Sequence, residues 1–309
     1  MDAMQRLNKV RAESGDWTAH PVSLPGGIST MECFNANHFL YLSRIVQVAK
    51  DIVGASLRGS RVLDLACLEG GFAVEFALCG AEVVAIEGRQ DNIRKLEYVK
   101  EELGLFRIRT VHADVRDISI QKYGLFDCVL CLGILYHLDK SSIGRFLRSI
   151  AEMTSRVAII DTHVSLYGGE SCEIEGVMCH GATYPEHRES DSVDDIESRK
   201  WASLNNRDSF FLTAPSLLTL LRKIGFTSVY ICEMPYYDIM TDRRTIVAIK
   251  GVPHQLTSFR AGTSQGECYP EYRHERVIHP TNARKDESTQ SVERTGGGVF
   301  QAIKRWVAS

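Results

Sequence analysis

The residues with the clearest chemical potential are four acids, a tyrosine, two histidines and a glycine pair. In "RVLDLACLEGGFAVEFA" an apolar run, Val62 to Ala66, carries Asp64 and ends in Gly70-Gly71, after which a helical pattern begins at once. Glycines at such a turn let main chain press close to a ligand, because glycine lacks Cβ and tolerates positive φ. Glu87 closes the next apolar run, "EVVAIE". A carboxylate at a strand end can accept two vicinal hydroxyls, such as those of a ribose, in a bidentate way. Asp114 closes "RIRTVHAD", Tyr136 and His137 stand in "GILYHLD", and Asp161 and His163 in "IIDTHVS". Histidine titrates near neutral pH and suits general-base work, and Asp161 is placed to orient His163. Any one of these acids alone reads equally well as a helix cap. The ordered set points to a ligand site at the ends of successive strands.

The elements that must position these residues follow from hydrophobic periodicity. "FLYLSRIVQVAKDIV" puts Leu42, Ile45, Val46, Ala49 and Val53 on one helical face. "RVLDLA" reads as a buried strand and "GFAVEFALCG" as a helix closed by Gly80; "EVVAIE" is the next strand, and "QDNIRKLEYVKEELG" a helix capped near Asp91 and closed by Gly104. "RIRTVHAD", "FDCVLCLGIL" and "RVAIID" are three more strands, with the helix "KSSIGRFLRSIAEM" between the last two. Strands alternating with helices at this spacing predict βαβ units and a parallel sheet. After the helix "APSLLTLLRKIG" come "FTSVYICE" and "RRTIVAIKG" with no helix between them, so these two should pair antiparallel.

The chain has 309 residues, enough for one large domain or two. Three parts are predicted. A turn-rich segment spans 1–33, an α/β domain 34–250 with a substrate-facing insertion at 164–208, and a polar tail 251–309. The tail is expected to be extended, a lid or partly disordered, with a short amphipathic helix carrying Val299, Ile303 and Trp306. The formal charge of -3 argues against a dominant nucleic-acid footprint. No run of about eighteen apolar residues is present, so no membrane span is expected. The start, "MDAMQRLNKVRAESGDW", lacks a secretory apolar core, and nine cysteines are scattered without a disulfide framework, which reads as a reduced, cytoplasmic protein. A homo-oligomer is left open, with the first helix and the tail as interface candidates.

A parallel sheet ending in a hairpin, with acids after successive strands, resembles class I S-adenosylmethionine-dependent methyltransferases over about residues 34–250. The resemblance implies a Rossmann-like methyltransferase sheet, parallel with a final antiparallel hairpin strand. It implies S-adenosylmethionine as cofactor, S-adenosylhomocysteine as product and no metal. It also implies a cofactor site of Asp64, Ala66, Cys67, Leu68, Glu69, Gly70 and Gly71 on the first loop, with Glu87, Gly88 and Arg89 after the second strand. Asp114 and Val115 follow the third strand, where the family meets the adenine, and Leu132 and Gly133 follow the fourth. The family pattern has an acid and three alternating glycines; here Asp64 matches the acid, Ala66 and Leu68 replace two glycines, and only Gly70 is kept. "GILYHLD", "NNRDSFFLTAPSLLTLLRKIGF" and the preface "DWTAHPVSLPGGIST" also look like the tRNA wobble-uridine carboxymethyltransferase group. In that group the tyrosine matching Tyr136 helps hold an extra cofactor carboxylate. The strand-one loop, the short amino-terminal part and the mild acidity depart from it, so fold and cofactor site are carried over, and the tRNA substrate is not.

The reaction implied is in-line displacement at a sulfonium methyl, in which the protein mainly orients the acceptor and excludes water. A small-molecule acceptor is expected, with a tRNA-type (carboxy)methyltransferase or a binding module without turnover as alternatives. Base candidates are His163 and His137, with Asp161 and Tyr136 beside them; Tyr136, Arg199 and Arg207 are acceptor-contact candidates. Trp17 and His20 belong to a segment expected to fold over the cofactor. Glu170, Glu173 and Glu175 could meet a cationic acceptor, or form a solvated face. Cys172, Cys179, His180 and His187 match no tight zinc spacing, and Cys128 and Cys131 lie within an apolar strand, where packing is the expected role.

Overall fold

In the computed structural model the chain is described at residues 2–32, 36–232 and 242–252, all within the unit Met1–Pro253. The expected tail helix and nearly all of the tail lie outside the described residues. In chain order the elements are α1 (Ala3–Ser14), β1 (Ser23–Leu24), β2 (Ile28–Ser29), α2 (Ala36–Val53), β3 (Arg61–Leu65), α3 (Gly71–Leu78) and β4 (Glu82–Glu87). Then follow α4 (Gln90–Leu103), β5 (Ile108–His112), α5 (Ile120–Tyr123), β6 (Phe126–Leu132), α6 (Ile143–Met153) and β7 (Thr154–His163). The chain continues with β8 (Glu170–Ile174), β9 (Val177–Pro185), α7 (Val193–Ser198), β10 (Asp208–Leu212), α8 (Ala214–Lys223), β11 (Ser228–Cys232) and β12 (Arg243–Ile249).

Seven strands form the central sheet in the order β11-β12-β7-β6-β3-β4-β5. Strands β3 to β7 pair parallel, whereas β12 runs antiparallel to both β7 and β11. The hairpin expected from "FTSVYICE" and "RRTIVAIKG" is therefore present. Period-2 alternation divides the core across the sheet. Leu63, Leu65, Val129 and Cys131 join α6 and α8 on one face, and Val62, Cys128 and Leu130 join α2, α3 and α4 on the other. Cys128 and Cys131 thus fill opposite layers as buried apolar groups, and they form no dithiol.

Two features differ from the sequence reading. The first fourteen residues, expected to be irregular, contain α1. Its start is a capping box in which the Asp2 side chain accepts from the Gln5 amide and the Gln5 side chain accepts from the Asp2 amide. Leu7 is fully buried in the second core layer, and α1 packs on α4. The second feature is α4, where Arg89 occupies the N-cap position without a side-chain cap bond, and Asp91 pairs with Arg94 instead.

The stretch after β7 folds as a second, three-stranded antiparallel sheet, β10-β9-β8, with α7 between β9 and β10. A two-residue turn joins β8 to β9, with Glu175 at φ 52° and Gly176 at φ 72°, the positive values that a primed hairpin turn requires. This sheet is tied to the carboxyl ends of β6 and β7. The Phe210 amide donates to the Leu138 carbonyl (2.9 Å), the Ser165 amide to the Leu212 carbonyl (2.9 Å), and the Asn206 side-chain amide to the His137 carbonyl (2.9 Å).

Candidate functional site

The loop from β3 to α3 shows how the turn forms with two glycines absent. Ala66 and Leu68 both adopt left-handed backbone, φ 53° and 49°, and Gly70 follows at 81°. A residue with a Cβ costs about 1–2 kcal/mol in that region, so something must hold the loop there. The Cys67 amide donates to the Ile86 carbonyl (3.1 Å), the Gly70 amide to the Cys67 carbonyl (2.8 Å), and the Leu68 amide to Glu87 Oε2 (2.9 Å). Gly70 and Gly71 are required for space as well. A Cβ on Gly70 would lie 2.3 Å from Leu96 Cδ1, and one on Gly71 would lie 2.5 Å from His20 Cβ.

The predicted acids sit where the strand ends place them. Asp64 is 2 % exposed, and its Oδ2 has no hydrogen-bond partner among the described residues. Burial pushes its carboxyl up to about 7, opposed by the Ala73 backbone amide and reinforced by the negative charge of Glu87. Glu87 Oε1 accepts from the Arg89 amide (2.9 Å), while Oε2 accepts from Leu68. Burial moves Glu87 upward too, against those two amides and the Asn92 side chain. With Leu68, Arg89 and the Asn92 side chain as donors, the Glu87 carboxylate keeps one acceptor position. Asp114 is clasped by its neighbour Arg116, whose Nε donates to both carboxylate oxygens (3.0 and 2.9 Å). Burial alone would raise Asp114, but the Arg116 bonds bring it below the usual range. Val115 is buried beside it, and Leu132 and Gly133 end β6, Gly133 at φ 87°.

Glu69, expected at the cofactor, is tied to the N-terminal segment through one of its oxygens. It is fully buried, and its Oε1 accepts from the amide (2.8 Å) and hydroxyl (2.7 Å) of Thr18, with Lys95 Nζ at 3.8 Å. Lys95 also donates to the Asp16 carbonyl (2.7 Å) and faces the Trp17 ring at 5.7 Å. His20 Nδ1 accepts from the Gly71 amide (3.3 Å), and burial lowers its pKa. Residues 16–20 are thereby fastened to the loop.

The insertion covers the neighbouring strand ends. Arg89 donates to the carbonyls of Glu197 (3.2 Å), Arg199 (2.9 Å) and Ala202 (3.1 Å). Leu204 fills the space where Gly88 has no side chain, 2.3 Å from an added Cβ, and Arg116 donates to Asn205 Oδ1 (2.6 Å). Lys200 Nζ lies 2.9 Å from where Gly15 would carry a Cβ, so the two covering segments meet.

Next to Gly133 stands a cluster of rings. Tyr136 contacts His137 (centroids 4.2 Å), His163 (4.7 Å, edge-on) and Phe211 (5.8 Å), and Phe211 stacks on Tyr184 (5.3 Å). Burial pushes the Tyr136 phenol up, with Arg243 opposing. His137 Nδ1 bonds Glu186 Oε1 (2.8 Å), and His163 Nδ1 bonds Asp242 Oδ2 (3.1 Å). Asp161 does not orient His163. Fully buried, it accepts from Arg243 Nε (2.6 Å) and Thr245 Oγ1 (2.6 Å), because β12 lies beside β7 and brings those two side chains to it. Arg199 and Arg207 direct guanidinium groups to Asp191 and Glu189, the latter pair exposed at 57 % and 87 %. Sequence reasoning missed Glu186, Asp242, Arg243 and Phe211. The first and last lie in the insertion and its closing strand, and nothing local in the sequence marks them as neighbours of "LYH".

The insertion acids and cysteines separate. Glu170 pairs with Lys140 and Glu175 with Arg148, while Cys172 faces Cys179 across β8–β9. His180 Nδ1 meets Ser171 Oγ (2.9 Å), and His187 Nε2 meets the Ser203 carbonyl (3.0 Å). Among the described residues no group of three or more His, Cys, Asp or Glu is placed to hold a metal.

Comparison with known proteins agrees with this layout. Residues 62–156 match the family model described as "Methyltransferase domain". No curated protein matches the chain. The crystal structure of the N-terminal domain of EvdMO1 in the presence of SAH and D-fucose superposes with a TM-score of 0.63 at 20 % identity, covering 81 % of this chain and 98 % of that one. The same domain with SAH bound gives the same figures. Against the crystal structure of EvdMO1 the TM-score is 0.53, and the match spans 48 % of that chain. These likenesses establish the fold.

Proposed function

We propose that the protein is an S-adenosylmethionine-dependent methyltransferase that passes a methyl group by in-line displacement to a small-molecule acceptor. The observation that carries this reading is the left-handed loop 66–71, with its Leu68 amide held at 2.9 Å by Glu87. The residues fit an amino-acid-bearing nucleoside. Main chain at Ala66, Cys67, Leu68, Gly70 and Gly71 would lie along the methionine part, and Asp64 Oδ2 is a buried acceptor left over beside it. Glu87 has an acceptor position to spare for a ribose hydroxyl, Gly88 and Arg89 continue that wall, and Asp114 and Val115 would flank the base. Leu132 and Gly133 would border the sulfur. When bound, the cofactor supplies an electrophilic methyl on a sulfonium whose leaving group is neutral. What remains for the chain is orientation, worth up to about 7–11 kcal/mol, and exclusion of water by segments 16–20 and 197–205.

The likeness to a domain crystallised with SAH and D-fucose supports a small polar acceptor. The tRNA wobble-uridine reading stands second, since it rests on "GILYHLD" and "SFFLTAPS" while the formal charge is -3. Among the described residues the thiols of Cys67, Cys79, Cys128, Cys131, Cys172 and Cys179 are free, which fits the cytoplasm. Isothermal titration of the full chain with S-adenosylhomocysteine tests the reading. Uptake is expected, weakened by about 1–3 kcal/mol in Glu87→Ala through lost charge-assisted bonds. No uptake by folded protein overturns it, and transfer of label to tRNA promotes the second reading.

A further inference from the structure

Resting on that reading, we infer that the acceptor is a vicinal diol, with His163 taking the proton from the hydroxyl that is methylated and His137 holding the adjacent hydroxyl. Two histidines on successive strand ends both touch one tyrosine ring, and each is backed by its own carboxylate. A carboxylate at Nδ1 fixes the proton there and leaves Nε2 as the accepting nitrogen. Neither Nε2 has a hydrogen-bond partner among the described residues. One such imidazole would serve a single hydroxyl or amine. Two, held against the same ring, match two neighbouring hydroxyl groups.

The carboxylates differ, and the difference assigns the roles. Glu186 already shares its charge, because Oε2 accepts from the Ser203 amide (3.2 Å) while Oε1 serves His137. Asp242 has His163 as its one side-chain hydrogen-bond partner among the described residues. That carboxylate, flanked by the Arg243 cation, turns its side-chain bond on His163 alone and holds the Nδ1 proton, so His163 is the imidazole we assign to accept a proton at Nε2. As the acceptor oxygen forms its bond to the methyl carbon, its proton passes to His163 Nε2. The carbon–sulfur bond breaks with its electron pair staying on sulfur, and the proton then leaves to solvent. Asp242 and Glu186 act through the histidines and are positioning residues.

The test uses the full chain, methyl-labelled S-adenosylmethionine and the small-molecule fraction of a cell extract, half of it treated with periodate, which cleaves vicinal diols, and then quenched. Label is expected in an alkali-stable ether, and periodate treatment should abolish transfer. Undiminished transfer after periodate, or label in an ester or amine, overturns the inference. S-adenosylhomocysteine binding with no transfer overturns it too, while leaving the cofactor site standing; absence of binding removes the reading beneath it. His163→Asn should lower turnover about a hundredfold or more with S-adenosylhomocysteine affinity kept, and added imidazole should partly restore His163→Ala. His137→Asn should act mainly on KM. In Asp242→Asn, nitrogen-15 NMR should show the His163 Nδ1 proton redistributed to Nε2; an unchanged tautomer removes Asp242 from its role.

Discussion

Asp64 is a carboxylate with an uncommon environment, 2 % exposed with one oxygen unpartnered among the described residues. Its pKa rises on folding from the ordinary 3.8 to about 7. An acid with a raised native pKa favours the folded state below its unfolded pKa, and that advantage is lost as pH climbs toward the native value. Asp64→Asn should therefore gain stability relative to the parent as pH increases from about 4 to about 7, with a constant difference above. Urea melts of the two proteins across that window check this, and a pH-independent difference would refute the burial account. Asp64 and Glu87 were legible in the sequence because strand ends follow from period-2 and apolar runs. The side chain of Glu69 was not. Its neighbours in sequence gave no hint that residues 16–18 return to cover it.

At the scale of elements, the N-terminal segment and the β3–α3 loop act as one piece. Lys95 on α4 is the joint, since it faces Glu69 and reaches the Asp16 carbonyl from a site with no solvent exposure. Burial lowers its pKa and the Glu69 charge opposes that shift. Removing one member of such a pair strands the other, at a cost of about 3–5 kcal/mol, whereas replacing both is far milder. Lys95→Met should lose about that much in chemical denaturation, and Glu69→Gln with Lys95→Met should recover most of it. Additive losses in the double variant would mean the pair is not coupled. The α1 helix was readable in principle, for Asp2, Gln5 and Leu7 form a capping box followed by a core residue. The polar, turn-rich stretch after it masked the signal.

For the whole molecule, the decisive feature is the reversal of β12. It brings Arg243 and Thr245 from the far end of the chain onto Asp161, and Asp242 onto His163. Local patterns gave the hairpin, because two β-rich runs without an intervening helix can pair only antiparallel. They could not give the cross-strand partners, which depend on register: Thr245 opposite Asp161 and Arg243 opposite His163. Arg243→Met should leave Asp161 buried with Thr245 as its remaining side-chain donor among the described residues and cost about 3–5 kcal/mol. A melting midpoint close to the parent's would show that the ion pair contributes little.

The strand-one turn keeps its shape with alanine and leucine in left-handed backbone, so what is inherited there is a contour of the main chain and not a set of letters. A search tuned to glycines passes over such a chain, whereas one tuned to the sign of φ at two alternate positions, with an acid from the next strand bonded to the amide at the second, would gather it together with loops that look unrelated on paper.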